Sequence, residues 1–318
     1  MILISEDVWG PAFAELEKTH RIVQDPELWQ TPEALAQKIA TATGLVVRNR
    51  TQVTAELLAA APMLKVIARA GVGLDNIDLK AADALGIVVV AGLGANAVSV
   101  GELTVGLGLS LLRNIPNAAN ETKAGKWDRA AGLELSGRTW SLLGCGATGL
   151  ATARLLSGFK INFLGFDPFV KADDPRLTGL NIRITTLEEA LSAADILSIH
   201  MPATAETTHL LNAERISTMK PGAFVVNVGR GEVINEADLI AAMKAGQIAG
   251  AALDVREVEP PITGELETLP NVILTPHVAG ITKESQTKIT GILADNLGLI
   301  LTGQPATHAV AQHKVPLR

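Results

Sequence analysis

The chain has 318 residues, 47% of them hydrophobic and 19% charged, with a formal net charge of −6. Domains of roughly 100 to 200 residues predict two cores at this length, and without a basic block or acidic tail nothing points to nucleic acid or an anionic membrane as partner. The single cysteine lies at no spacing that could serve a disulfide or a metal, the absence of Tyr argues against single-strand stacking platforms, and no apolar run reaches the ~18 residues of a membrane span.

The first residues, Met1 to Asp7, lack a basic n-region and turn acidic at once, so they read as a strand rather than a leader, and a cytoplasmic location is expected. Strands are predicted at Ile2–Ile4, Arg21–Val23, Leu45–Val47, Val66–Ala68 and Ile87–Val90, with helical patterns at Thr31–Thr41 and Thr54–Ala60 between them. This alternation is that of a doubly wound α/β unit. A long helix is expected over Ser99–Arg113, with Glu102 in its first turn and Pro116 as its stop. Gly106 and Gly108 inside it each cost up to about 1 kcal/mol relative to Ala, which suggests close packing against another element.

Next comes Ser141-Leu142-Leu143-Gly144-Cys145-Gly146-Ala147-Thr148-Gly149, then a helical stretch to Ser157, the apolar run Ile161–Phe166, and Asp167. The order is strand, glycine turn, helix, strand, acid. Gly144 permits a tight turn, Gly146 lets the amides around Ala147 and Thr148 approach a pyrophosphate, and Gly149 lets the helix pack on its strand. A carboxylate at Asp167 can accept both adenosine ribose hydroxyls and would repel a 2′-phosphate, which favours NAD over NADP. Cys145 sits at a helix N-terminus, where a thiol pKa can fall, but a small filler of the turn is the simpler reading.

The pattern continues with a helix at Leu187–Ala194, strands at Ile196–His200, Ala223–Val228, Gly250–Asp254 and Val272–Thr275, and a final helix at Lys283–Leu301. The expected fold is therefore α/β, with two doubly wound parallel-sheet domains. A Rossmann dinucleotide-binding domain at 99–285 is inserted into a flavodoxin-like substrate domain made of 1–98 plus 286–318.

At predicted strand ends lie Val226 to Gly231, Ala252 to Pro260 and Thr275 to Gly280. Open α/β sheets place ligands at such ends. An arginine, a carboxylate and a histidine beside a nicotinamide suit hydride transfer to a 2-oxo acid: the histidine moves the proton, the carboxylate holds the imidazolium, and the arginine binds and polarises the substrate.

With these motifs the chain resembles the D-isomer-specific 2-hydroxyacid dehydrogenases over essentially its whole length. The resemblance is carried also by Gly71 to Asp78, Ser99 to Thr104 and His200-Met201-Pro202. It implies that Arg230 binds substrate, that His277 is the general acid/base with Glu259 as partner, and that amides near Val72 and Gly73 hold the substrate carboxylate. It implies further that Asn96, Thr104, His200, Met201, Pro202, Thr207, Val228, Gly229, Asp254 and Gly280 line the cofactor site. Within the family the chain looks most like 3-phosphoglycerate dehydrogenases lacking the C-terminal regulatory domain. Those enzymes meet the substrate phosphate with arginines matching Arg48, Arg69 and Arg129, the last across a homodimer interface, so a 2-hydroxy acid with a second anionic group is expected.

Three departures stand out. Gly101 and Gly229 replace common alanines, and Arg256 occupies a position that is usually aromatic, where it either adds positive charge near the site or points to solvent. The competing functions are a glyoxylate or hydroxypyruvate reductase or a sulfolactate dehydrogenase of the same family and, from another class, a non-catalytic NAD-sensing scaffold.

Overall fold

A computed structural model describes residues 1–317. They form two compact units, one of residues 1–96 with 281 onward and one of Ala97–Gly280.

In the first unit, β1 (Ile2–Ile4), β2 (Ile22–Gln24), β3 (Gly44–Val47), β4 (Val66–Arg69) and β5 (Val88–Ala91) make one parallel sheet in the order β2-β1-β3-β4-β5. The short apolar strands β1, β3, β4 and β5 are largely buried on both faces, as the middle of a parallel sheet requires, while the edge strand β2 is only partly buried. Ile2, Ile4, Val46, Val66, Ala68, Val88 and Val90 join one core, while Leu3, Leu45, Val47, Ile67 and Val89 join the other. The helix Lys283–Leu301 supplies Ile289, Leu293, Leu297 and Ile300 to the first of these cores. Its start is set by a capping box between Thr282 and Ser285. The strand order reverses between β1 and β3, so the carboxyl ends of these two strands mark the ligand crevice of a doubly wound sheet.

In the second unit, β6 (Thr139–Leu143), β7 (Asn162–Phe166), β8 (Ile182–Ile184), β9 (Ile196–Ile199), β10 (Ala223–Asn227), β11 (Ile248–Leu253) and β12 (Val272–Leu274) pair in parallel in the order β12-β11-β10-β9-β6-β7-β8. Here the reversal lies between β6 and β9. Among the described residues no helix is long and apolar enough to cross a membrane.

Several local expectations change. The long helix begins at Ala97, which takes Glu102 out of its first turn and removes the dipole argument for it. It ends at Asn114, which adopts a left-handed φ of 49°, and Pro116 lies in the first turn of a further helix, Ile115–Lys123, instead of stopping the first. Gly108 is needed for packing, since a Cβ there would sit 2.4 Å from the Trp140 ring, whereas Gly106 faces open space. A Cβ on Gly101 would approach the Thr152 amide to 3.0 Å, so this departure from alanine lets the helices Ala97–Arg113 and Ala147–Leu156 meet closely. The strand β8 and the helix Glu236–Lys244 carry too weak a periodicity to be foreseen.

Candidate active site

The glycine turn after β6 sits at the switch point of the second sheet. Gly144 has φ +97°, and a Cβ on it would lie 2.9 Å from the His200 carbonyl carbon, so the chain leaving β6 touches the chain leaving β9. A Cβ on Gly149 would fall 2.1 Å from the Gly144 oxygen. Gly146 is the N-cap of the helix Ala147–Leu156, with no side-chain cap and open space where a Cβ would stand. An uncapped helix start beside open space suits a pyrophosphate. Asp167 accepts the Cys145 N–H at 2.8 Å on one oxygen and the Phe169 N–H at 2.9 Å on the other, which orients the carboxylate and leaves each oxygen a lone pair for a ribose hydroxyl.

His200 Nδ1 is among the buried side-chain atoms that have no hydrogen-bond partner. The other His200 nitrogen lies 3.0 Å from Ser198 Oγ, which accepts the Trp140 indole N–H at 2.8 Å. Burial pushes the His200 pKa down to about 3, so this imidazole is neutral. The uncapped helix, the oriented Asp167 and the orphaned His200 nitrogen fit a dinucleotide. Burial and the Asp167 charge, opposed by Arg176, push the Cys145 thiol up to about 12, which agrees with a filler and not a reactive thiol.

Other predicted cofactor residues serve the framework. Thr104 is wholly buried and its hydroxyl donates to the Val100 carbonyl at 2.7 Å, so it presents no free face to a ligand. Thr207 donates to the Pro202 carbonyl and accepts the Thr204 N–H, both at 2.7 Å, which folds the loop after His200 and Met201. Val228 and Met201 are buried.

The catalytic candidates come from the ends of β10, β11 and β12. Buried Asn227 accepts the Gly229 N–H and donates to the Arg230 carbonyl, which sets the turn that presents Arg230. A Cβ on Gly229 would come within 2.7 Å of the Met201 oxygen, so the usual alanine has no room. A Cβ on Gly231 would lie 1.8 Å from the Arg256 oxygen, so the Arg230 turn is backed directly onto the 256–257 backbone.

Asp254 has a function that its sequence context did not suggest. It is 1% exposed; one oxygen accepts the Thr275 hydroxyl at 2.6 Å and the Val278 N–H at 2.9 Å, and the other accepts the Ala279 N–H at 2.8 Å. Its backbone carbonyl takes the His277 N–H. These bonds hold the loop in which His277 adopts a φ of 53°. His277 Nδ1 then lies 2.7 Å from Glu259 Oε2, and the other Glu259 oxygen accepts the Arg256 N–H at 3.0 Å. Burial acts to raise the Glu259 pKa, but the bond to His277, the Arg256 amide and the charges of His277 and Arg230 outweigh it and hold the carboxyl below its ordinary value.

Arg256 follows neither expectation. Its side chain is 10% exposed and neutralised, with a two-pronged bridge to Glu236 at 2.9 and 3.0 Å and a third contact to Glu267 at 2.6 Å. Arg256 holds the Glu267 carboxyl down at about 2. Neither Glu236 nor Glu267 carries a sequence signal, since surface glutamates on a helix and a loop are ordinary.

In the first unit, Arg69 ends β4 and folds back over its own loop, donating to the Ala70 carbonyl at 3.2 Å. Gly71, with φ +156°, makes room for it, since a Cβ there would lie 1.4 Å from the guanidinium. The following Val72 and Gly73 amides donate to no group among the described residues. The Arg48 guanidinium likewise has no partner among them. Arg129 belongs to the second unit, exposed on the segment between the helix Ile115–Lys123 and β6.

Residues 105–279, more than half of the chain, match the D-isomer specific 2-hydroxyacid dehydrogenase NAD-binding domain. The chain belongs to this family. It is 39% identical over 317 residues to a D-3-phosphoglycerate dehydrogenase of Methanocaldococcus jannaschii, covering 99% of this chain and 60% of the relative. It thus spans about three fifths of that relative's length. Among solved structures, a protein from Thermus thermophilus superposes with a TM-score of 0.90 at 31% identity, covering 98% of this chain and 99% of the other. An NADPH-dependent glyoxylate/hydroxypyruvate reductase from Sinorhizobium meliloti, solved with NADP and malonate, gives 0.88 at 30% identity, covering 100% and 98%.

Proposed function

We propose that this family member is an NAD-dependent oxidoreductase that moves a hydride between nicotinamide and C2 of a D-2-hydroxy acid or its 2-oxo counterpart. The observation that carries the reading is the 2.7 Å contact of His277 Nδ1 with Glu259 Oε2, which leaves Nε2 to give a proton to the substrate C2 oxygen or take one from it. Glu259 orients the ring and stabilises its protonated form, and Arg230, whose charge reaches Glu259, binds and polarises the substrate. The free amides of Val72 and Gly73 receive the substrate carboxylate. When bound, the nicotinamide supplies or accepts the hydride. Gly144, Gly146, Ala147, Thr148 and Gly149 hold its pyrophosphate, and Asp167 takes the ribose hydroxyls and selects NAD.

The substrate carries a second anionic group, phosphate first, met by Arg48, Arg69 and, from a second copy in a homodimer, Arg129. The unpartnered Arg48 guanidinium and the similarity to D-3-phosphoglycerate dehydrogenases support this. Trp127, 81% exposed, and Leu133, 41% exposed, flank Arg129 and suit such an interface, and the enzyme is read as cytoplasmic. A glyoxylate or hydroxypyruvate reductase is the second reading, favoured by the Sinorhizobium meliloti neighbour.

The test is oxidation of NADH, repeated with NADPH, over phosphohydroxypyruvate, sulfopyruvate, oxaloacetate, hydroxypyruvate, glyoxylate and pyruvate. Preference for the doubly anionic acids supports the first reading, and preference for hydroxypyruvate or glyoxylate supports the second. Failure to turn over any of them would overturn both and favour a non-catalytic scaffold.

A further inference from the structure

At the switch point of the first sheet, the crevice between the ends of β1 and β3 is filled by the protein's own carboxylate. Glu6, just past β1, is 2% exposed and accepts four backbone N–H groups from the loop that leaves β3. One oxygen takes the Arg48 and Thr51 amides at 2.7 and 3.0 Å, and the other takes those of Asn49 and Arg50 at 3.2 and 3.0 Å. Successive amides converging in this way form an anion nest. Around it, the Ser5 and Thr51 hydroxyls lie 2.9 Å apart, and the Asn76 amide donates to the Arg48 and Thr51 carbonyls at 3.2 and 2.7 Å. Asn76 belongs to the same loop as Val72 and Gly73, so the two loops are tied together.

We infer that Glu6 is a positioning residue for substrate specificity: it sets the backbone of residues 48–51 so that the Arg48 guanidinium is presented to the second anionic group of the substrate. The backbone on both sides of Arg48 is pinned while its side chain has no partner among the described residues. A flexible cation held this way loses less freedom on binding an anion than one on a mobile loop. Arg50, the other cation of the loop, lies against the Trp29 ring at 4.8 Å, which leaves Arg48 as the one to face the ligand. This inference rests on the doubly anionic substrate proposed above.

The discriminating substitution is Glu6→Gln. It keeps the shape but turns one oxygen into an NH₂ that must face two N–H donors. The readout is KM and kcat for phosphohydroxypyruvate and hydroxypyruvate in the wild type, Glu6→Gln, Arg48→Ala and the double variant. The expected result is a KM for phosphohydroxypyruvate raised roughly tenfold or more, as for loss of one charge-assisted hydrogen bond, with kcat and the hydroxypyruvate KM within about twofold. In the Arg48→Ala background, Glu6→Gln should add nothing to that rise.

An equal rise for both substrates, additive effects in the double variant, or no change would overturn the inference while leaving the phosphate reading intact, provided Arg48→Ala alone weakens phosphohydroxypyruvate. A wild type that does not prefer the phosphorylated acid overturns both. If Glu6→Gln does not fold, Glu6→Asp, which shortens the reach, and Asn76→Ser, which loosens the loop from its other side, should each raise the phosphohydroxypyruvate KM selectively; unselective effects in both would refute the positioning role.

Discussion

Gly231→Ala tests whether the arginine, carboxylate and histidine form one rigid constellation. The added Cβ would lie 1.8 Å from the Arg256 oxygen and 2.5 Å from the Glu257 nitrogen, whereas real Cβ atoms essentially never approach below 3.0 Å. Both atoms are backbone, so no rotamer change relieves the contact, and the Arg230 turn must separate from the 256–257 segment by about 1 Å. Overpacking of this kind costs about 1–3 kcal/mol, or roughly 3–10 °C in melting temperature for a unit of this size. The functional effect should be larger. Arg230 follows the moving turn, and the Arg256 amide that holds Glu259 belongs to the segment being pushed, so a displacement of about 1 Å reaches substrate binding and the proton relay together and should lower kcat/KM by about 10²-fold. Circular dichroism melting and steady-state kinetics measure the two effects. A variant with unchanged melting temperature and kcat/KM within twofold of wild type would show that the close backing of these loops has no role in catalysis.

His277→Ala should lose about 10²- to 10⁴-fold in kcat, the usual contribution of a positioned acid/base, and near wild-type turnover would rule out the proton assignment. Asp167→Ala should weaken NAD binding, followed by quenching of protein fluorescence, more than NADP binding; equal losses would remove the basis for NAD selectivity. Arg256→Met should destabilise the protein by about 2 kcal/mol, between the values for exposed and buried ion pairs. The sign with pH follows from Glu267, whose carboxyl is lowered from 4.5 to about 2, first by Arg256 and further by the Gly264 and Glu267 amides, so the pair's contribution is fully present above pH 4.5 and is lost as pH falls through about 2. Denaturant titrations from pH 7 to pH 2 should therefore show the gap between wild type and Arg256→Met closing only below about 4.5; a gap independent of pH would mean the guanidinium acts through packing alone.

Most of the parallel strands were legible because they are short apolar runs, many of them buried on both faces, and the last helix as the stretch that follows the last of them, although its capping residues carried no part of that reading. The glycine turn was legible because its reasons are local: sharp turning, close approach and an uncapped helix start. The break at Asn114 was not, because a left-handed asparagine and a proline that opens the next helix look in sequence like a proline that stops the first. Arg256 resisted reading for a different reason. Its partners lie twenty residues before it, at Glu236, and beyond it at Glu267, and nothing in local spacing marks either. The family resemblance implied a cofactor contact for Asp254; its three side-chain bonds show that it also fastens the loop that carries His277.

Glu6 extends that point to the other sheet. The two reversals of strand order present the same physical opportunity, amides converging where flanking strands diverge, and the chain resolves it in opposite ways. In the second unit small residues keep the helix start open, as the space beside Gly146 shows, so an external anion can take the amides. In the first unit a buried carboxylate already accepts four of them, so the loop offers an incoming anion a side chain rather than its backbone. A nest satisfied from within holds its loop rigid. That is the condition which the proposed part of Arg48 in recognising a phosphorylated acid requires.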